Sequence, residues 1–175
     1  IAKKFINEGL EIVLFDKYFD YNKNQKLFDK CLCIECDITN NNSIQKSINK
    51  VIKNFGGVDI LVSNAGVAFQ GSMESINEKV IKDSFDINFF SHQKISQKIV
   101  NIMKIQDMGG SIMFNISKQA VNPGKNFGPY GLAKTSTLFL MKQYALECGQ
   151  YNIRVNGVNA DRIQSGLLTK KFIAQ

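Results

Sequence analysis

Apolar and polar positions along the chain alternate between two periods. EIVLFD (11–16), CLCIECD (31–37), VDILVSNAG (58–66), SIMFNIS (111–117) and NIRVNGVNA (152–160) are short, mostly apolar runs. Such runs predict strands, and apolarity on both strand faces points to a sheet covered on both sides. Between them apolar residues return at helical spacing. Ala2, Phe5 and Ile6 precede Gly9; Ile44, Ile48, Val51, Ile52 and Phe55 precede Gly56-Gly57. A long helical stretch is predicted from about 77 to 104, closed by Gly109-Gly110, and another over 130–149. Strands alternating with helices give an α/β class with a Rossmann-like, doubly wound parallel sheet. In such sheets ligands bind beyond the carboxyl ends of the strands. The polar endings Asp16, Asp37, Ser63-Asn64 and Ser117 fall there. No repeat, low-complexity linker or second domain is visible in the sequence.

Composition narrows this picture. With 175 residues and 44% apolar content the chain can bury a core without disulfide or metal staples. No apolar run reaches the roughly 18 residues of a membrane span, and no signal peptide is recognisable. The formal charge is +7, but 20 of the 22 basic residues are scattered lysines. Nucleic-acid surfaces cluster Arg and Lys with aromatics on one face, so no nucleic-acid partner and no membrane partner are expected. Cys31, Cys33 and Cys36 lie on or beside a predicted strand, and no second Cys/His pair completes four convergent ligands. They read as small apolar side chains of a reducing, cytoplasmic protein, without a metal site.

The chemistry concentrates in Tyr130-Gly131-Leu132-Ala133-Lys134. Positions i and i+4 share a helix face, so a phenol and an ammonium reach one small volume. A nearby cation favours the phenolate and brings a tyrosine pKa of about 10 toward the working range. Ser117 lies thirteen residues earlier at a strand end, ahead of a Pro/Gly loop. Its hydroxyl could hold a substrate oxygen while the tyrosine moves the proton. Asn64-Ala65-Gly66 adds a polar turn after its own strand.

Together these segments resemble the short-chain dehydrogenase/reductase family over essentially the whole chain. The resemblance rests on the acid closing EIVLFD, the CDI segment, SNAG (63–66), Asn88 in SFDINFFS, Ser117 in GGSIMFNIS, and Tyr130 and Lys134 in YGLAK. It implies hydride transfer between a nicotinamide cofactor and a hydroxyl/carbonyl pair on a small molecule. Tyr130 is then the general acid/base and Ser117 orients the reacting oxygen. Lys134 binds the nicotinamide ribose and lowers the tyrosine pKa, and Asn88 holds a water of the proton relay. Asp16 matches the acid that accepts from the adenosine ribose. A carboxylate there repels a 2′-phosphate, so NAD is favoured over NADP. The resemblance also makes Asp37 and Ile38 adenine contacts, sets Asn64, Ala65 and Gly66 against the cofactor, and puts Ser165 beside the carboxamide.

Three departures accompany the resemblance. The family's first strand and glycine-rich pyrophosphate loop are absent from these residues, the usual Pro-Gly after the sixth strand is Ala160-Asp161, and the sequence stops near Gln175. Residues 1–175 are therefore expected to form a partial NAD(P)-binding Rossmann domain, with a sheet that has a gap or re-pairs. The stretches SKQAVNPGKNFGPYGLAK and IRVNGVNADRIQSGLL are similar to the dehydrogenase half of bifunctional aldolase/short-chain dehydrogenases. That similarity implies a sugar-derived or small hydroxy-aldehyde substrate and possible fusion to an aldolase domain. The alternative is a non-catalytic fragment that keeps Tyr130 and Lys134 but cannot hold the diphosphate.

Plainer roles stand beside these. Asp16 can cap the following turn, and Thr39 or Asn40 can cap the next helix, which coexists with adenine contacts at Asp37 and Ile38. The single histidine, His92, reads as a packing or surface residue. Phe85, Phe89 and Phe90 read as core or as a helix face between subunits of a homo-oligomer.

Overall fold

A computed structural model describes residues 1–161, leaving 162–175 and hence Ser165 outside the described residues. The chain divides into two compact units, 1–56 and 57 onward.

In the first unit α1 (Ala2–Asn7) ends at Gly9, whose φ of 81° turns the chain into β1 (Val13–Asp16). That left-handed conformation costs glycine little. β1 pairs in parallel with β2 (Leu32–Glu35), from Val13 opposite Leu32 to Asp16 opposite Glu35. Between them runs α2 (Tyr21–Phe28), which the periodicity does not predict. Its polar sequence YNKNQKLF has weak helical propensity, and Asn24 departs from helical geometry. Aromatic packing accompanies it, with the ring of Phe28 5.2 Å from Phe19 and 5.1 Å from Tyr21. α3 (Asn41–Phe55) begins where Asn40 accepts a hydrogen bond from Ser43 N at 3.1 Å. It ends at Gly56 with φ 78°. Its buried face is Ile44, Ser47, Ile48 and Val51, the helical spacing read from the sequence.

In the second unit β3 (Ile60–Ser63), β4 (Gly110–Asn115) and β5 (Ile153–Val158) form a parallel sheet in that order. Ile112, Phe114, Ile153 and Val155 supply its core, with Ile95, Ile99, Val100 and Met103 buried on the covering helix. The predicted helix from 77 to 104 is divided. α4 (Glu78–Phe85) runs through a π turn, Asp86–Phe90, into α5 (Ser91–Gln106). After β4 and a 3₁₀ turn (Lys118–Ala120) comes α6 (Gly128–Cys148), with Pro129 in its first turn. Gly109 has φ 75°, and a Cβ there would lie 2.5 Å from the Asn152 carbonyl, so the entry to β4 requires glycine.

The five strands thus make an α/β Rossmann-like arrangement in two parallel ladders, β1–β2 and β3–β4–β5, rather than one re-paired sheet. All four cysteines carry free thiols. Among the described residues no helix is long and apolar enough to cross a membrane.

Candidate active site

Tyr130 lies in the first turn of α6 and Lys134 one turn later. The lysine is almost completely buried, at 2% exposure, and its Nζ donates to the Asn115 carbonyl at 2.9 Å. It lies 5.7 Å from the centre of the Tyr130 ring. Burial lowers the Lys134 pKa to about 8, because water no longer solvates the ammonium. Burial also pushes the Tyr130 phenol above its usual value, while a hydrogen bond from Ser117 favours the phenolate and works against that rise. Ser117 caps the 3₁₀ turn after β4, its Oγ accepting from Gln119 N at 3.2 Å. The structure therefore brings Ser117, Tyr130 and Lys134 together at the carboxyl end of β4.

Asn88 sits in the π turn, completely buried. Its Oδ1 accepts from Val67 N at 3.0 Å. Its Nδ2 donates to the Val67 carbonyl at 2.9 Å and to Ser84 Oγ at 3.2 Å. Ser84 donates to the Pro129 carbonyl at 2.9 Å, and Thr137 donates to the Asn88 carbonyl at 2.6 Å, tying the π turn to α6. The Asn88 amide thus acts first as a clamp on the chain after Gly66, a role the sequence did not reveal. An amide oxygen carries two lone pairs, and the Val67 N–H engages one of them. A Cβ on Gly66 would lie 3.0 Å from Asn88 Oδ1 and 3.5 Å from Lys134 Nζ, so this turn is closely packed without a side chain. Asn64 Oδ1 accepts from Asn115 Nδ2 at 2.9 Å.

Two loops meet beside the start of α6. Gly71 N donates to the Asn126 carbonyl at 2.8 Å. Gln119 Oε1 accepts from Gly124 N at 2.6 Å. The ring of Phe127 is 6.4 Å from that of Tyr130. Past the strand ends Lys118 N donates to the Ala160 carbonyl at 2.8 Å, and Lys118 Nζ pairs with Asp161 at 3.2 Å. The Ala160-Asp161 departure thus gives the residue after Ser117 an ionic partner. Sequence spacing could not show this, because the two residues are 43 positions apart.

The first unit carries its own strand-end groups. Asp16 is exposed at the end of β1, its Oδ1 accepting from Tyr18 N at 3.3 Å, so the turn-capping role is present. Asp37 accepts from Thr39 Oγ1 at 2.7 Å, Thr39 N at 3.0 Å and Lys17 Nζ at 3.0 Å. The Thr39 hydroxyl, then Lys17 and the Thr39 N–H, hold the Asp37 carboxyl at about 2. Ile38 is half-buried beside it.

A sequence profile of the short chain dehydrogenases matches residues 1–174. The chain belongs to the short-chain dehydrogenase family. It is 35% identical over 122 residues to human dehydrogenase/reductase SDR family member 4, covering 69% of this chain and 44% of that protein. It is 28% identical over 137 residues to the uncharacterized oxidoreductase YuxG of Bacillus subtilis, covering 78% of this chain and 20% of that one. The aldohexose dehydrogenase of Thermoplasma acidophilum, solved in ligand-free form, superposes with a TM-score of 0.85 at 28% identity. That superposition covers 95% of this chain and 62% of the other. This short-chain dehydrogenase chain spans less than two thirds of the curated relatives it first matches.

Proposed function

We propose that the protein is an NAD-dependent oxidoreductase interconverting a hydroxyl and a carbonyl on a sugar-derived or small hydroxy-aldehyde substrate. The observation that carries this is the buried Ser117–Tyr130–Lys134 cluster at a strand end. Nicotinamide dinucleotides serve the family as cofactors, and Lys134, Asp16 and Asp37 offer groups suited to their ribose and adenine portions. Lys134 Nζ has three N–H donors, and its bond to Asn115 uses one, leaving donors for ribose hydroxyls. Asp16, exposed at the end of β1, fits the adenosine ribose and disfavours a 2′-phosphate. Asp37 and Ile38 are assigned to the adenine, Asn64, Ala65 and Gly66 to the turn against the cofactor, and Ser165 to the carboxamide.

When bound, the cofactor supplies or accepts the hydride. Tyr130 Oη then moves the proton to or from the substrate oxygen, and the Ser117 hydroxyl holds that oxygen and favours the phenolate. The Lys134 ammonium adds positive charge beside the ring, which strengthens as water is excluded. Asn88 Oδ1 positions a relay water while its amide holds Val67.

Residues 1–175 are read as one partial Rossmann domain of the short-chain dehydrogenase type. The similarity to an aldohexose dehydrogenase supports a sugar-like substrate. YuxG matches over 20% of its length, which leaves room for a fused domain such as an aldolase. Exposed Leu132, Phe139 and Leu146 on α6 support packing against a second subunit, and the free thiols support a cytoplasmic setting.

The test is Tyr130→Phe in the full-length protein, assayed with a panel of hydroxy-aldehydes and keto-sugars. Turnover is expected to fall at least a thousandfold with NAD affinity nearly unchanged, in line with loss of a general acid/base. Retained activity would overturn the assignment.

A further inference from the structure

The catalytic assignment leaves the buried imidazole of His92 unused. His92 is 1% exposed in the first turn of α5, and its Nδ1 lies 2.6 Å from Ser63 Oγ. Ser63 is the last residue of β3, directly before Asn64-Ala65-Gly66. The imidazole also interacts with the Ala65 backbone. One helical turn earlier, Asn88 holds Val67 by both its N–H and its C=O. The turn from 63 to 67 is therefore gripped at both ends by two side chains spaced i, i+4.

A space-filling role explains the histidine poorly. Among the described residues its buried Nε2 makes no well-aligned hydrogen bond, the Ala65 backbone lying only within range of the imidazole, and the Ser96 hydroxyl one turn further on has none. An unsatisfied buried polar atom destabilises; a phenylalanine beside Phe114, 6.2 Å away between ring centres, would avoid it but strand the Ser63 hydroxyl, so the bond to Ser63 is what the imidazole adds. Burial, reinforced by the Lys134 charge, brings the imidazole pKa down to about 3. The ring is thus neutral at every working pH and is free to keep one hydrogen-bonding arrangement.

We propose that His92 is a positioning residue that fixes Ser63 and Ala65, and through them the turn assigned to the cofactor. This rests on the functional reading above. Loss of one such bond from the turn corresponds to about a five- to tenfold weaker cofactor affinity.

His92 is the chain's one histidine, so the imidazole signals of the ¹⁵N-labelled protein need no assignment. They are expected to show a single neutral tautomer from pH 5 to 8. Titration near the ordinary value of about 6.5 would overturn the proposal. In the full-length protein His92→Phe is expected to weaken NAD binding five- to tenfold, and His92→Asn to recover most of it. Adding Ser63→Ala to His92→Phe removes the stranded hydroxyl and restores the melting temperature without restoring affinity. Affinity that returns together with stability would reduce His92 to a packing residue and refute the proposal. A parent protein with a fixed imidazole but no NAD affinity would refute the functional reading, and the cofactor role with it.

Discussion

Replacing Asn88 by alanine tests the clamp on Val67 directly. The amide makes two bonds to the Val67 backbone, at 3.0 and 2.9 Å, from a completely buried position. Each net bond contributes about 1 kcal/mol, and a stranded group costs about 1–3 kcal/mol. The Val67 residue is 42% exposed, so water can repair part of the loss on its side. Ser84 Oγ keeps its bond to Pro129 and adds little. The cavity left by the amide adds a further contribution of about 1 kcal/mol. The expected destabilisation of the second unit is therefore about 2–3 kcal/mol, a drop of roughly 5–10 °C for a chain of this size. Amide exchange reads the same event locally. The Val67 N–H, now protected by Asn88 Oδ1, should exchange about 10- to 100-fold faster in Asn88→Ala. Amides of β4 should change only as far as global stability does. Unchanged Val67 exchange with a melting temperature within about 2 °C of the parent would refute the clamp.

Two further outcomes follow from the charges. Lys134 has its pKa lowered from 10.5 to about 8, so between those values the unfolded chain holds more protons than the folded one. Stability should rise with pH across that window, because the buried ammonium is unfavourable below it. Lys134→Met should therefore stabilise the fold at pH 7 by on the order of 2 kcal/mol after loss of the Asn115 bond, while turnover disappears. Urea titrations at pH 7 and 10 check the sign, and a destabilised variant with an unchanged pH slope would contradict it. Asp16→Ser in the full-length protein should improve the NADP/NAD ratio of kcat/KM by at least tenfold, the effect of removing a carboxylate facing a 2′-phosphate. No change in that ratio would remove Asp16 from the ribose site.

What the sequence disclosed follows from period and caps. α3 was legible in full, since Ile44, Ile48 and Val51 keep one face and Asn40 and Gly56 mark its ends. The Tyr130–Lys134 pair was legible because i and i+4 on α6 fix the proximity of the two side chains before any tertiary structure is known. α2 was illegible, because its eight residues are mostly polar and aromatic packing, not propensity, accompanies it. The π turn was hidden for another reason: one extra residue per turn leaves the overall apolar pattern helical. The Lys118–Asp161 pair depends on parallel register between β4 and β5, which spacing along the chain does not encode. The histidine was legible only as a packing or surface residue. Its value lies in being one turn from Asn88, a relation the sequence contained but could not weight without Ser63.

The π turn at Asp86–Phe90 has a consequence for how this segment tolerates length changes. A widened turn behaves as an inserted residue, displacing everything after it by about 100° around the axis relative to a regular helix. α4 and α5 therefore present different faces although they are continuous, and each keeps its own set of neighbours. Removing one residue there would leave a regular helix of equal apolar content. It would also rotate Ile95, Ile99 and Met103 off the sheet, or Ser84 off Pro129. A single-residue deletion in a helix normally shifts contacts everywhere downstream. Here it would force a choice between the contacts of α4 and those of α5, so chain length is tightly specified in this five-residue stretch.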